Sequence, residues 1–277
     1  MKKLYTVALC AFVFWSSVAW LDVSGTGGAS SPVSGLWDGA SPMADSHCVG
    51  AWYMNGTGTE TDRSGSSEDL TEYSDINQSE TIPTGYHADG YSRYSPDAAN
   101  ALYHTDGGSS DLSGAGSWTF GTWVKFNSDN SADNMIFHNW TTTDDNRQIR
   151  IKFDDSDDNF VAEVSELGTL ASVVACNGAT NRATLGTESF FHLFVVYNGS
   201  TIKIYINNVE DGTVNYSSGV ANKTGQYGLF SEASIAYGNT FDGHLDEAIW
   251  FNIALSSDQR ADIITNGISG DKGASDS

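Results

Sequence analysis

From Trp118 to Phe126 the side chains alternate: Trp118, Phe120, Val124 and Phe126 take one side, and Thr119, Trp123 and Lys125 the other. A two-residue repeat sends successive side chains to opposite faces of an extended chain, so this segment reads as a strand with one face on a core. The repeat returns at Ile149, Ile151 and Phe153, with Gln148, Arg150 and Lys152 pointing away. Phe190–Tyr197 is apolar on both sides, as a central strand requires, and Ile202, Ile204 and Ile206 alternate again after Asn198-Gly199. An Asn-Gly pair between strands is a strong hairpin signal because both residues accept positive φ. Asn207-Asn208 offers a second tight turn. All four prolines (Pro32, Pro42, Pro83, Pro96) lie in the first 96 residues, leaving the body free of a residue that cannot donate to a ladder. Ser256, with Gln259 three residues on, opens a short helix as a capping box, and Asn266-Gly267 closes it. The pattern is all-β: a two-sheet antiparallel β-sandwich with one short C-terminal helix.

At 277 residues and 39% hydrophobic, the chain can bury one large sandwich core. Residues 1–20 place Lys2 and Lys3 before an apolar run that ends in Ser17-Val18-Ala19, the pattern of a secretory signal peptide or of an N-terminal hydrophobic anchor. Residues 21–44 form a Gly/Ser-rich linker, 45–268 the sandwich, and 269–277 a disordered tail. The first strand is expected at Val49–Met54, followed by a polar stretch from Asn55 to Gln78 whose length suggests a functional or disordered loop. If the leader is removed, Cys10 goes with it. Cys48 and Cys176 then either pair in an oxidising compartment or stay as buried thiols.

A net charge of -22 with only 13 Lys+Arg repels polyanions and excludes nucleic acid as a partner. Cations and neutral glycans remain. The six histidines show no H-E-x-x-H or other ligand spacing, and no G-x-S-x-G is present. Glu163 and Glu166 come nearest to a paired-carboxylate motif. Three-residue spacing sends them to opposite faces of a strand, whereas a retaining hydrolase needs two carboxyls about 5 Å apart. Asp154-Asp155-Ser156-Asp157-Asp158 lacks the glycine and closing Glu of an EF-hand loop and reads as a solvated turn. The Asn-x-Ser/Thr sequons, such as those at Asn139 and Asn222, arise readily in a chain so rich in these residues.

Three segments, in order, resemble the laminin-G-like, pentraxin-like group of concanavalin A-like lectin/glucanase jelly rolls: Ser117–Lys125, Phe194–Asn207, and Phe241–Ala248 continuing to Ala254-Leu255-Ser256. Asp62-Arg63-Ser64-Gly65 with Leu70 resembles the element after the first strand, so the resemblance spans about residues 48–267. It departs from the family pattern at Asn198 and Asn208, where Asp and Gly are usual. The resemblance implies a structural Ca2+ site at Asp62 and Asp246, with Asp242 and Asp69 as neighbouring helpers; otherwise Asp62 caps a turn and Asp246 is an ordinary charged residue. For a ligand, Trp140, Tyr205 and Trp250 offer rings to a sugar unless they are core, and Arg150 and Lys152 offer charge to an acidic sugar or a partner. The expected function is an exported, non-catalytic binding or adhesion module for a glycan or cell-surface polymer. The alternatives are a structural subunit of an extracellular filament or virion, contacting itself or other protein subunits, and a glycoside hydrolase.

Overall fold

The computed structural model describes residues 35–74, 76–84, 90–96, 100–105, 116–127, 134–140, 147–187, 189–221, 226–231 and 240–270. The segment 1–20, the linker up to residue 34, the sequon at Asn222 and the tail from 271 lie outside them. The described residues form β1 (Cys48–Trp52), β2 (Thr71–Tyr73), β3 (Asn77–Ser79), β4 (Ser92–Ser95), β5 (Ala101–Thr105), β6 (Trp118–Phe126), β7 (Asn134–Trp140) and β8 (Arg147–Asp154). They continue with β9 (Asn159–Ser165), β10 (Val173–Asn177), the single helical turn α1 (Arg182–Leu185), β11 (Phe191–Tyr197), β12 (Thr201–Ile206), β13 (Val209–Asn215), β14 (Gln226–Leu229), β15 (Gly243–Phe251) and α2 (Ser257–Asn266). No described helix is long and apolar enough to cross a membrane.

The expected alternation becomes two antiparallel sheets. The first runs β13-β12-β11-β6-β15-β4-β3, with β1 also on β15; the second runs β10-β9-β8-β7-β14-β5-β2. Facing rows of Trp118, Phe120, Val124 and Phe126 from β6 and Ile149, Ile151 and Phe153 from β8 fill the space between them. At its centre Trp250 lies 5.2 Å from Trp118 and 4.8 Å from Phe137 of the opposite sheet, centroid to centroid. The first sheet is also buried on its outer side, where Phe194, Val196, Ile249 and Phe251 pack with Trp37, Leu255 and Ile263. That cover begins earlier than the sequence suggests. Leu36 and Trp37 belong to the folded body: Trp37 stacks on Phe251 at 5.5 Å and donates its indole N–H to Asp262 at 2.8 Å.

Local chemistry sets the connections. Asn207 and Asn208 take φ values of 50° and 65°, as the tight β12–β13 turn demands. At the β11–β12 turn only Gly199 is left-handed; Asn198 acts instead through its side chain, accepting the N–H groups of Ser200 and Thr201. Ser256 and Gln259 form both bonds of the capping box. Gly267 ends α2 at φ 76°, a left-handed conformation that favours glycine, and a Cβ there would also crowd Glu247 Oε1 of β15 at 2.8 Å.

Acidic groups close both edges. On one side Asp211 of β13 accepts the N–H groups of Ala179 and Thr180, just past β10. On the other the buried Arg93 of β4 bridges to Glu72 of β2 and Glu60, 3.1 Å away, and donates to the carbonyls of Gly56 and Gly58. The polar stretch from Asn55 to Gln78 is thus largely part of the sandwich wall, its Glu60 and Leu70 paired as a β-bridge. Cys48 and Cys176 are free thiols in separate clusters, Cys48 on the outer side of the first sheet and Cys176 in the inter-sheet core, so a disulfide between them does not form.

Buried titratable groups make stability depend on pH in two opposing ways. Burial lowers His138 and His192 from 6.5 to about 3 and His244 to about 4, so their contribution, present above 6.5, is lost as pH falls through this range. Burial raises Glu60 from 4.5 to about 7 against the pull of Arg93, and it raises Asp246 as well. Their contribution is complete below the ordinary carboxyl value and is lost as pH rises through the raised one. Three histidines outweigh two carboxyls on the acid side. The urea midpoint should therefore climb from pH 4 to about 6.5, and Glu60→Gln should steepen that climb, because it removes a group whose contribution is lost between 4.5 and about 7. A midpoint flat from pH 4 to 8 would contradict this account.

Candidate functional site

Of the five residues expected to bind a ligand, the structure brings two, Trp140 and Arg150, into contact, and on a closed surface. Gln148, Arg150 and Lys152 point away from the core, as their alternation predicts, with Trp140 on the neighbouring strand. Arg150 lies 4.7 Å from the centroid of the Trp140 ring and pairs with Glu163 of β9. Arg147 approaches the same ring at 5.9 Å. Lys152 sits 2.7 Å from Asp154, whose carboxyl is held at about 2 by bonds from Lys152 and Ser156 that outweigh its partial burial. Sugar stacking needs an open ring face, and Trp140 is only 2% exposed. Trp250 is core, and Tyr205 carries Arg260 at 3.8 Å over its ring, which fastens α2 to the sheet. These five side chains serve packing and ion pairing.

The four carboxylates expected to hold calcium are not gathered. Asp62 accepts four donors within its own region (N–H of Ala51, Ser64 and Glu68, and the Ser64 hydroxyl), and Asp69 accepts the N–H of Asp62. Asp62 is therefore a turn organiser. Asp242 accepts from the Asn127 amide. Asp246 is fully buried at a bulge of β15, its carboxyl raised well above the usual range by burial and by Glu247. Such a set, one member saturated and another favouring its neutral form, does not fit a calcium ion. Among the described residues, the ligand atoms of Asp38, Asp45 and His47 do lie within 4.8 Å of one another. The two carboxylates there already accept backbone N–H groups of Asp38, Ser46 and His47.

One open cleft was not read from the sequence. It occupies one end of the sandwich, has a volume of about 410 Å³, and is lined by Glu166, Ala171 and Ser172 from the β9–β10 connection, Val173 and Val174 from the start of β10, Ser200 from the β11–β12 turn, and Asn215–Ser218 from the end of β13. The β9–β10 connection is pinned. Ser165 and Ser172 hydroxyls both donate to the Thr169 carbonyl, at 3.1 and 3.0 Å, Ser172 accepts the N–H of Leu167, and Gly168 accepts the N–H of Arg147. Tyr216 is buried, its N–H bonded to Ser200 and its hydroxyl to Gly219. Burial pushes that phenol up to about 12, with Glu166 and Tyr197 adding to the rise. Glu166, Asn215, Ser217 and Ser218 are exposed, and their side chains have no protein partner among the described residues. Leu167 and Leu170, 61% and 69% exposed, stand on the same connection.

The cleft lining contains one carboxylate, Glu166, and no Lys, Arg or His. Glu163, its nearest acid in sequence, is on the sheet face with Arg150. The two acids are parted not by strand alternation but because β9 ends at Ser165 and Glu166 lies in the connection beyond it, so the cleft lining holds one carboxylate and not the pair a glycoside hydrolase uses.

Residues 97–259 match the family described as the concanavalin A-like lectin/glucanases superfamily. No curated protein sequence matches the chain. Among solved structures, the binding domain of botulinum neurotoxin DC in complex with SialylT superposes with a TM-score of 0.59 at 13% identity, covering 79% of this chain and 51% of that one. The same domain in complex with rat synaptotagmin II gives 0.59 at 12% identity, over 79% and 51%. The binding domain of Paraclostridial Mosquitocidal Protein 1 gives 0.59 at 12%, over 78% and 51%. This chain spans about half the length of those domains, and at such identity the likeness establishes the fold.

If Trp140 and Trp250 are structural, Trp140→Ala and Trp250→Ala should each cost about 3–5 kcal/mol of unfolding free energy. Asn215→Ala, at an exposed cleft position, should stay within about 0.5 kcal/mol. Urea unfolding measures all three; a Trp140→Ala protein as stable as the parent would reopen that ring as a ligand platform.

Proposed function

Because the chain belongs to the concanavalin A-like lectin/glucanases superfamily, we propose that it is a non-catalytic binding module that takes carbohydrate in the cleft formed by the β9–β10 connection, Ser200 and Asn215–Ser218. The observation that carries this reading is the chemistry of the lining. An amide, several hydroxyls and one carboxylate, with no protein partner for Glu166, Asn215, Ser217 or Ser218 among the described residues, surround a space of about 410 Å³. Sugars are recognised through such neutral, oriented hydrogen-bonding groups, and the volume suits a few sugar rings. The pinned connection supports the reading, since a lining held before binding loses little freedom when a ligand arrives. Two of the solved structures it resembles are binding domains in complex with SialylT or with rat synaptotagmin II, which fits a role in recognition. The module acts outside the cell in this reading, on the strength of the apolar run after Lys2 and Lys3.

The test is an array of neutral, acidic and amino oligosaccharides probed with the purified chain in matched calcium and chelator lanes. Binding should fall on neutral or amino sugars and persist in chelator, because the cleft offers only one carboxylate. Asn215→Ala combined with Ser217→Ala should weaken it at least tenfold, about 1.4 kcal/mol. A blank array in both lanes sinks the proposal.

A further inference from the structure

We infer that the cleft selects sugars bearing a free, protonated amine, with Glu166 as the residue that reads the charge; this rests on the carbohydrate reading above. Glu166 is the one charged group in the lining, and no cation answers it among the described residues. Basic groups of the adjoining strands are engaged elsewhere: Arg150 with Glu163 on the sheet face, Lys203 with Glu210 on the first sheet, and Arg147, whose backbone N–H bonds to Gly168 of the β9–β10 connection, with its guanidinium 5.9 Å from the Trp140 ring. The backbone that carries Glu166 is held in place, while its side chain stands exposed. Its neighbours Ser165 and Leu167 are fixed by the Thr169 and Ser172 bonds, and the Ser165 carbonyl accepts the N–H of Ala221. Its charge also reaches inside the cleft, where it adds to the rise that burial imposes on the Tyr216 phenol.

A ligand that fills this cleft strips water from Glu166. Removing solvent from a carboxylate is costly unless a positive group or strong donors replace the water. A hydroxyl replaces part of that hydration, whereas an ammonium supplies charge-assisted bonds of roughly twice the strength. Acidic sugars are disfavoured twice, by Glu166 and by the field of a chain at -22. Neutral sugars leave the carboxylate under-compensated. An amino sugar meets the carboxylate with its ammonium and the Asn215, Ser217 and Ser218 groups with its hydroxyls.

The experiment compares a glucosamine hexamer, its N-acetylated counterpart and a plain glucose hexamer by calorimetry on the full chain, at a pH where the amine is protonated and at one where it is neutral. The deacetylated ligand should bind at least tenfold tighter than either other when protonated, and the preference should vanish when the amine is neutral. Glu166→Gln, checked as folded by thermal melting, should collapse the ratio to within about twofold. Glu210→Gln, which removes a carboxylate on the first sheet, should leave the ratio intact and so separates a local effect from loss of net charge. Equal affinity for all three hexamers overturns the amine inference while leaving the carbohydrate reading standing. Binding to none of them overturns both, and binding to oligolysine alone replaces the sugar with a basic peptide.

Discussion

Burial of the first sheet on both faces is the constraint on which the rest of the structure depends. Adjacent residues of β15 show it: Trp250 enters the core between the sheets against Trp118 and Phe137, and Phe251 turns outward to stack on Trp37. A sheet with two apolar faces needs two covers. The second sheet supplies the inner one, and the outer one is built from the Leu36–Trp37 segment and α2, held by the Trp37–Asp262 bond and by Arg260 over Tyr205. Little of the first sheet's central surface is left for a ligand. The polar face of the second sheet is occupied around β7 to β9 by the Trp140–Arg150–Glu163 set. An open hollow then falls naturally at an end of the sandwich, where turns rather than strands supply the lining.

Much of this architecture was legible because strand periodicity reports which way a side chain points. Trp118, Phe120, Ile149 and Ile151 face the core as the sequence implied, and Gln148, Arg150 and Lys152 face away. Periodicity does not report whether a face is covered. A Trp beside an Arg on a polar face reads alike as a sugar platform and as an ion-paired lid, and burial decided for the latter. Asp62 illustrates the same limit, since its D-x-S-G context serves turn formation and metal binding equally well, and only its four donors separate the two.

The cleft left almost no trace in the sequence for a physical reason. Glu166, Ser172, Ser200 and Asn215–Ser218 come from three separate segments of chain and belong to residue types common throughout it. Nothing local distinguishes Ser217 from serines elsewhere; the sandwich alone makes these segments neighbours. Arg93 was equally unmarked, yet it is buried beside Glu60, Glu72 and two carbonyls and ties β4 to β2. Such long-range polar contacts have no period and no motif.

Those contacts also shape the surface. Arg93, Arg150, Lys152, Arg182 and Lys203 each pair with a carboxylate of the chain itself, so much of a small supply of positive charge is spent internally. What remains outside is predominantly acidic, at a net charge of -22. A field of one sign repels anions at long range and raises the local concentration of cations, most of all in a concave site walled by protein. Glu166 sits in such a site without a basic neighbour in the lining. The ion pairs that close the sandwich edge and fill its second face thus also leave this carboxylate unanswered, which links the internal economy of charge to the chemistry the cleft can receive.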